Sequence, residues 1–222
     1  MHQEAVDRMN KYKLVLFDMD GTLLKGRTIF VFADKKGFMD DLLNIINSDR
    51  KSYERSIEIA KLLKGMKSAE LLEIFRDIPL QDHVETVITE LKKKGVKTAI
   101  VTNSYQFVAD DLKTRLGIDY AFANDLIIKK GIVTGELRIN NTGVTKKFSG
   151  CKVHSICKSC VLDYLCERFG LEKDEVIAVG DGSIDICMLQ KAGLGVAFNA
   201  SENVQQHADI STGDISVILN YV

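Results

Sequence analysis

Five short apolar runs recur along this chain, and helical patterns fill the gaps between them. The runs are Lys13–Asp18 (KLVLFD), Lys97–Thr102 (KTAIVT), Tyr120–Ala123 (YAFA), Glu175–Val179 (EVIAV) and Leu194–Ala197 (LGVA). Each is too short for a helix that buries a face, and each reads apolar throughout rather than alternating. Strands of that kind are buried on both sides, which is the signature of a parallel sheet sandwiched between helices. The intervening segments supply those helices: Val84–Lys94, Gln106–Leu116, Ser159–Phe169 and Ile184–Ala192. In the third, Leu162, Leu165, Cys166 and Phe169 fall at i, i+3, i+4 and i+7, one helix face. The run Lys92-Lys93-Lys94 before Gly95 fits a helix C-terminus, where cations meet the negative end of the macrodipole.

Two segments break the rhythm. Thr28–Ile78 holds helical patterns at Met39–Asn47, Ser52–Leu63 and Ala69–Phe75 and no strand. It is too long for a plain connection and reads as a helical cap inserted after the first strand. Leu126–Gly135 reads as a hairpin turning at Lys130-Gly131 and continuing through Asn140. The expected division is a core of residues 1–26 and 80–222, a cap of residues 27–79 and a hairpin insertion at residues 125–140.

The chain has 222 residues, 45% hydrophobic and 27% charged, which suits one main domain with an insertion and excludes a disordered or fibrous chain. Its net charge of -1 gives nucleic-acid binding no electrostatic support. No run approaches the roughly 18 apolar residues of a membrane span. The first residues have no signal-peptide core, so a cytoplasmic location is expected. Five cysteines, an odd number, then read as reduced thiols.

The first strand ends in Asp18-Met19-Asp20-Gly21-Thr22. In extended chain Asp18 and Asp20 project to one side, and two carboxylates that close need a cation or a shared proton between them. A calcium loop starting at Asp18 fails, because its sixth and twelfth positions are Leu23 and Ile29. Gly180-Asp181-Gly182-Ser183-Ile184-Asp185 also follows a buried run, and Asp181 with Asp185 can reach one hard cation such as Mg²⁺. Thr102 is a hydroxyl at a strand end ahead of a helix, a setting that suits phosphate as well as a helix cap.

With these motifs in order, the sequence resembles the haloacid dehalogenase superfamily, in its phosphoserine phosphatase-like branch. The Asp18–Thr22 stretch, Thr102, Lys158 and Gly180–Asp185 match the family's four motifs. Tyr120–Asn124 and Lys191–Leu194 match the branch. The resemblance implies a Rossmann-like core and an Mg²⁺-dependent phosphatase acting on a small phosphorylated molecule. It makes Asp18 the nucleophile that forms an aspartyl-phosphate and Asp20 the general acid and base. Asp18, Asp181, Asp185 and the backbone carbonyl of Asp20 would hold the metal. Gly21, Thr102, Asn103 and Lys158 would hold phosphoryl oxygens. A phosphotransferase using the same aspartyl-phosphate, and a non-catalytic phosphate- or protein-binding module, are the alternatives. Monomer and homodimer both remain open.

The sequence also departs from that branch. Arg27 stands where phosphoserine phosphatases carry a Glu that reads the substrate ammonium. Ala60 stands where they carry a cap arginine that reads its carboxylate, with Arg55 and Lys61 nearby. Arg27, Tyr53 and Arg55 are therefore the specificity candidates, and free phosphoserine is expected to be a poor substrate. Ile184 replaces a usual Asn. The spacing Cys151, His154, Cys157, Cys160 could hold zinc, but packed or free thiols fit better, with Cys166 on the core face of its helix.

Overall fold

The computed structural model describes residues 11–140 and 153–222. Seven strands form one sheet in the order β4-β3-β2-β1-β5-β6-β7. They are β1 (Leu14–Phe17), β2 (Lys97–Tyr105), β3 (Tyr120–Lys129), β4 (Ile132–Arg138), β5 (Val176–Gly180), β6 (Leu194–Phe198) and β7 (Ile210–Thr212). Every pairing is parallel except β3 with β4. All five apolar runs are strands of this sheet, as expected. β2 and β3 run further than their apolar stretches, and β7, too short and mixed to read from sequence, closes one edge.

β1 lies at the centre and is buried along its whole length. Its side chains alternate between the two faces. Val15 and Phe17 join the larger core with Val84, Val87 and Leu91 of α5 (Val84–Lys93) and Val108 and Leu112 of α6 (Gln106–Leu116). Leu14 and Leu16 pack on the other side against Val161, Leu162 and Leu165 of α7 (Lys158–Phe169). This double burial is why the strand reads apolar without alternation. Cys166 sits in the second core, where its helical spacing placed it.

Between β1 and α5 lie four helices: α1 (Thr28–Lys36), α2 (Met39–Ile46), α3 (Ser52–Leu62) and α4 (Ser68–Arg76). They form the helical cap, and α1 is the one the sequence pattern did not isolate. The hairpin β3–β4 turns at Lys130 and Gly131, both with positive φ (51° and 76°), the backbone of a type I′ turn. This hairpin braces the helical insertion. The amide of Gly65 donates to Val133 O, that of Val133 to Met66 O, and that of Ser68 to Gly131 O, each at 2.9 Å. Gly135 allows the close approach: its φ is +84°, and a Cβ there would lie 3.0 Å from Lys64 Cβ. The helix expected over Ile184–Ala192 is shorter, α8 (Ile186–Leu189), because Gly182–Asp185 is spent on a turn.

Candidate active site

The carboxyl ends of parallel strands gather ligands because their loops and following helix N-termini converge there. β1 delivers Asp18 and Asp20 to that edge, β2 delivers Thr102 and Asn103, and β5 delivers Asp181. These residues line one cleft of ≈ 320 Å³ together with Arg27, Arg55, Ser183 and Ile184.

Lys158 lies beneath them, 1% exposed, at the first turn of α7. Its Nζ is 2.6 Å from Asp18 Oδ1 and 2.5 Å from Asp185 Oδ1. A buried ammonium without such partners would be costly; between two carboxylates it is held. Burial works against the Lys158 charge, but Asp18 and Asp185 outweigh it and hold the group protonated above the usual lysine range. The second Asp185 oxygen accepts from Gly182 N at 2.9 Å, which fixes the turn.

Asp20 has a different setting. Its Oδ1 accepts from the Thr28 amide at 3.0 Å and the Thr28 hydroxyl at 2.5 Å. The amide is the first of α1, where helix donors lack intrahelical partners, so Asp20 caps the first cap helix from the core. Thr28 was not singled out from the sequence. The available signal was a hydroxyl residue at a helix start, ten residues after the first Asp.

Burial pushes the carboxyls of Asp18, Asp20 and Asp185 up to about 6, against the opposing pull of Lys158 on Asp18 and Asp185 and of Thr28 on Asp20. Asp181 is also raised, by burial first and by Asp185 next. Asp18, Asp181 and Asp185 each offer an oxygen within 4.8 Å of the others. Counting Asp20, four carboxylates here face two cations, Lys158 and Arg27, the latter 3.5 Å from Asp181. Two negative charges stay uncompensated. Clustered oxygen donors with that deficit fit a hard divalent cation such as Mg²⁺.

Thr102 is buried, and its Oγ1 accepts from Ser104 N at 3.2 Å. It lies where the β2–β3 register shifts, between Val101 and Tyr105, in a stretch whose residues 102–105 line the cleft before α6 starts at Gln106. Asn124, fully buried, pins this stretch: its Nδ2 donates to Asn103 O at 2.8 Å and Ser155 Oγ at 2.9 Å. Asn103 lines the cleft, and its Oδ1 is buried with no hydrogen-bond partner among the described residues.

The Gly21 N–H donates to Leu24 O and Gly26 O, both at 3.1 Å. At Gly21 φ is +92°, and a Cβ there would lie 2.5 Å from Asp181 Oδ2. Tyr53 does not line the cleft; its hydroxyl donates to Glu54 Oε1 and its amide to Val153 O. Lys61 likewise turns away, to Glu58. Arg27, Arg55 and Ile184 do line the cleft. Of the proposed zinc ligands, Cys151 lies outside the described residues. Among the described residues the aspartate trio is the group with ligand atoms gathered for a metal, and Cys157 and Cys160 are buried. No helix among the described residues is long and apolar enough to cross a membrane.

Comparison with known proteins bears on the family and the fold. The family of haloacid dehalogenase-like hydrolases matches residues 15–190. A phosphoserine phosphatase of Methanocaldococcus jannaschii is 32% identical over 218 residues, covering 96% of this chain and 98% of that protein. One of Archaeoglobus fulgidus is 32% identical over 208 residues, and the chain spans 56% of its length. A solved phospho-aspartyl intermediate analogue of phosphoserine phosphatase superposes with a TM-score of 0.80 at 30% identity, over 95% of this chain and 99% of that one. A hydrolase from Salmonella enterica shares the fold, with a TM-score of 0.82 at 24% identity over 93% of this chain and 69% of that one. The chain belongs to the haloacid dehalogenase-like hydrolases, in the phosphoserine phosphatase-like branch.

Proposed function

We propose that the protein is an Mg²⁺-dependent phosphomonoester phosphatase that works through an aspartyl-phosphate on Asp18. The observation that carries this reading is the buried Asp18–Lys158–Asp185 contact set against Asp181 at the cleft floor. Lys158 occupies one Asp18 oxygen and favours the ionised carboxylate, leaving the other oxygen to attack phosphorus. As the Asp18–phosphorus bond forms, the bond to the leaving alcohol breaks, and Asp20 gives that oxygen a proton. A carboxyl with its pKa near 6 is suited to both donating and accepting. Asp20 then takes a proton from water as the water attacks phosphorus, releasing inorganic phosphate and free Asp18.

Lys158, Thr102 and the adjacent Asn103 would hold the phosphoryl oxygens. Asp18, Asp181, Asp185 and the Asp20 carbonyl would hold Mg²⁺, which supplies charge neutralisation to the phosphoryl group when bound. Residues 27–79 act as the cap over a core of residues 1–26 and 80–222, with the residue 125–140 hairpin as its brace.

The relatives are named phosphoserine phosphatases. By the resemblance, Arg27 stands where an ammonium-reading Glu is expected, which would alter recognition of the alcohol part. The reading is tested by Mg²⁺-dependent phosphate release together with mass spectrometry of quenched turnover. A phosphoryl group on Asp18, and no turnover by Asp18→Asn, are expected. Near-normal turnover by that variant would remove the covalent mechanism.

A further inference from the structure

The two walls of the cleft differ in chemistry. The carboxylates that line it, Asp18, Asp20 and Asp181, all come from the core. The opposite wall is built by residues 27–59. It presents Arg27 and Arg55, two serines and apolar side chains that include Ile29, Phe30 and Ile59, and no acidic residue.

On α3, Ser52, Arg55, Ser56 and Ile59 share one face through their i, i+3 and i+4 spacing, and that face is the one on the cleft. Ala60, one residue on, is fully buried and offers no donor. Arg55 is half-buried, and its Nη1 donates to Ile46 O at 2.8 Å, which holds the guanidinium in place. Among the described residues no carboxylate lies within ion-pair distance of Arg55. Arg27, by contrast, faces Asp181. A half-buried guanidinium with spare planar donors on an acid-free wall is a receptor for a second anion.

We propose that Arg55 is the specificity-determining residue. It binds a carboxylate or second phosphate carried by the leaving alcohol, whose short apolar body lies against Ile29, Phe30 and Ile59. The preferred substrate is then a phosphomonoester with a second anionic group and no ammonium. An ammonium would meet two guanidinium groups and no carboxylate on that wall, and would lose hydration without a partner. This inference rests on the phosphatase reading above.

The test is Mg²⁺-dependent phosphate release from five probes. They are para-nitrophenyl phosphate, propyl phosphate, 3-phosphooxypropanoate, propane-1,3-diyl bisphosphate and O-phosphoserine. At least one of the two dianionic-type esters, carboxylate or bisphosphate, should exceed propyl phosphate in kcat/KM by about 10–100-fold, the value of one charge-assisted contact. Which of them leads distinguishes carboxylate from phosphate as the second anion. O-phosphoserine should fall below 3-phosphooxypropanoate. Arg55→Met should collapse the preference for the anionic ester, chiefly through KM, and Arg55→Lys should restore part of it.

Three results would overturn the inference: propyl phosphate matching both anionic esters, O-phosphoserine surpassing its deaminated analogue, or Arg55→Met lowering all esters alike. If Arg55→Met does not fold, the wild-type ranking decides by itself. Turnover of the aryl phosphate without any anion preference sinks this inference alone. No turnover of any ester sinks the phosphatase reading, and the inference with it.

Discussion

Replacing Lys158 by Met keeps the aliphatic volume and removes one charge. Among the described residues that charge is the only cation within ion-pair distance of Asp18 and Asp185, which lie 2.6 and 2.5 Å from Nζ and are themselves buried. Removing one partner of a buried ion pair costs about 3–5 kcal/mol, because the remaining charge is left in a low-dielectric site. For a chain of this size each kcal/mol moves Tm by about 2–4 °C, so the metal-free variant should melt about 6–20 °C lower at pH 8.

The pH dependence has a definite sign. Both carboxyls already titrate near 6, and without Lys158 their pKa values rise further. At pH 5 they take up protons and the penalty shrinks, so the Tm deficit should be smaller at pH 5 than at pH 8. Asp185→Asn in the Lys158→Met background should recover part of the loss. Melts followed by circular dichroism in EDTA serve as the assay, since the chain has no Trp. A deficit below about 1 kcal/mol at pH 8, the range of exposed pairs, with no change at pH 5, would refute the account of Lys158 as a structural counter-charge.

Other consequences are open to simpler measurements. Gly21→Ala should lower turnover at least tenfold and weaken Mg²⁺ binding, because its Cβ would sit 2.5 Å from Asp181 Oδ2 at a φ of +92°; unchanged metal titration would contradict this. Thr28→Val removes the hydroxyl that donates to Asp20 and so raises the Asp20 pKa, shifting the alkaline limb of the kcat/KM profile upward, with a loss of about tenfold from one charge-assisted bond. An unshifted limb would mean that Asp20 is not the acid. Metal-free protein holds protons on Asp18, Asp20 and Asp185 that the unfolded chain, with carboxyls at 3.8, has released, so these groups favour folding below pH 4 and lose that contribution as pH rises through 6. The Tm gain from adding Mg²⁺ should therefore grow between pH 5 and pH 7.5, and a gain that shrinks would argue against a carboxylate site.

The hairpin and the helical insertion show how an expectation became a mechanical arrangement. Each stood out in the sequence as an interruption of the strand–helix rhythm, but nothing in the residues joined one to the other. Three backbone hydrogen bonds, Gly65 to Val133, Val133 to Met66 and Ser68 to Gly131, make the hairpin a brace for α3 and α4. Backbone donors carry no residue-type signature, so this contact could not be read in advance.

The sequence by itself determined the sheet and the chemistry at its edge. Double burial forces apolar strands with period-free composition, and carboxylates such as Asp18, Asp20 and Asp181 at strand ends are too costly to place there without a charge partner. The tertiary structure decided which neighbours those groups have. It gave Lys158 two carboxylates rather than solvent, tied Asp20 to Thr28 at the start of α1, and spent the Gly21 amide on Leu24 and Gly26. It also turned Arg55 into the cleft and Tyr53 out of it. The physical reason is range. Burial periodicity and strand-end chemistry are local and written in consecutive residues, whereas the direction of a side chain from an inserted helix depends on how that helix packs against segments far away in sequence.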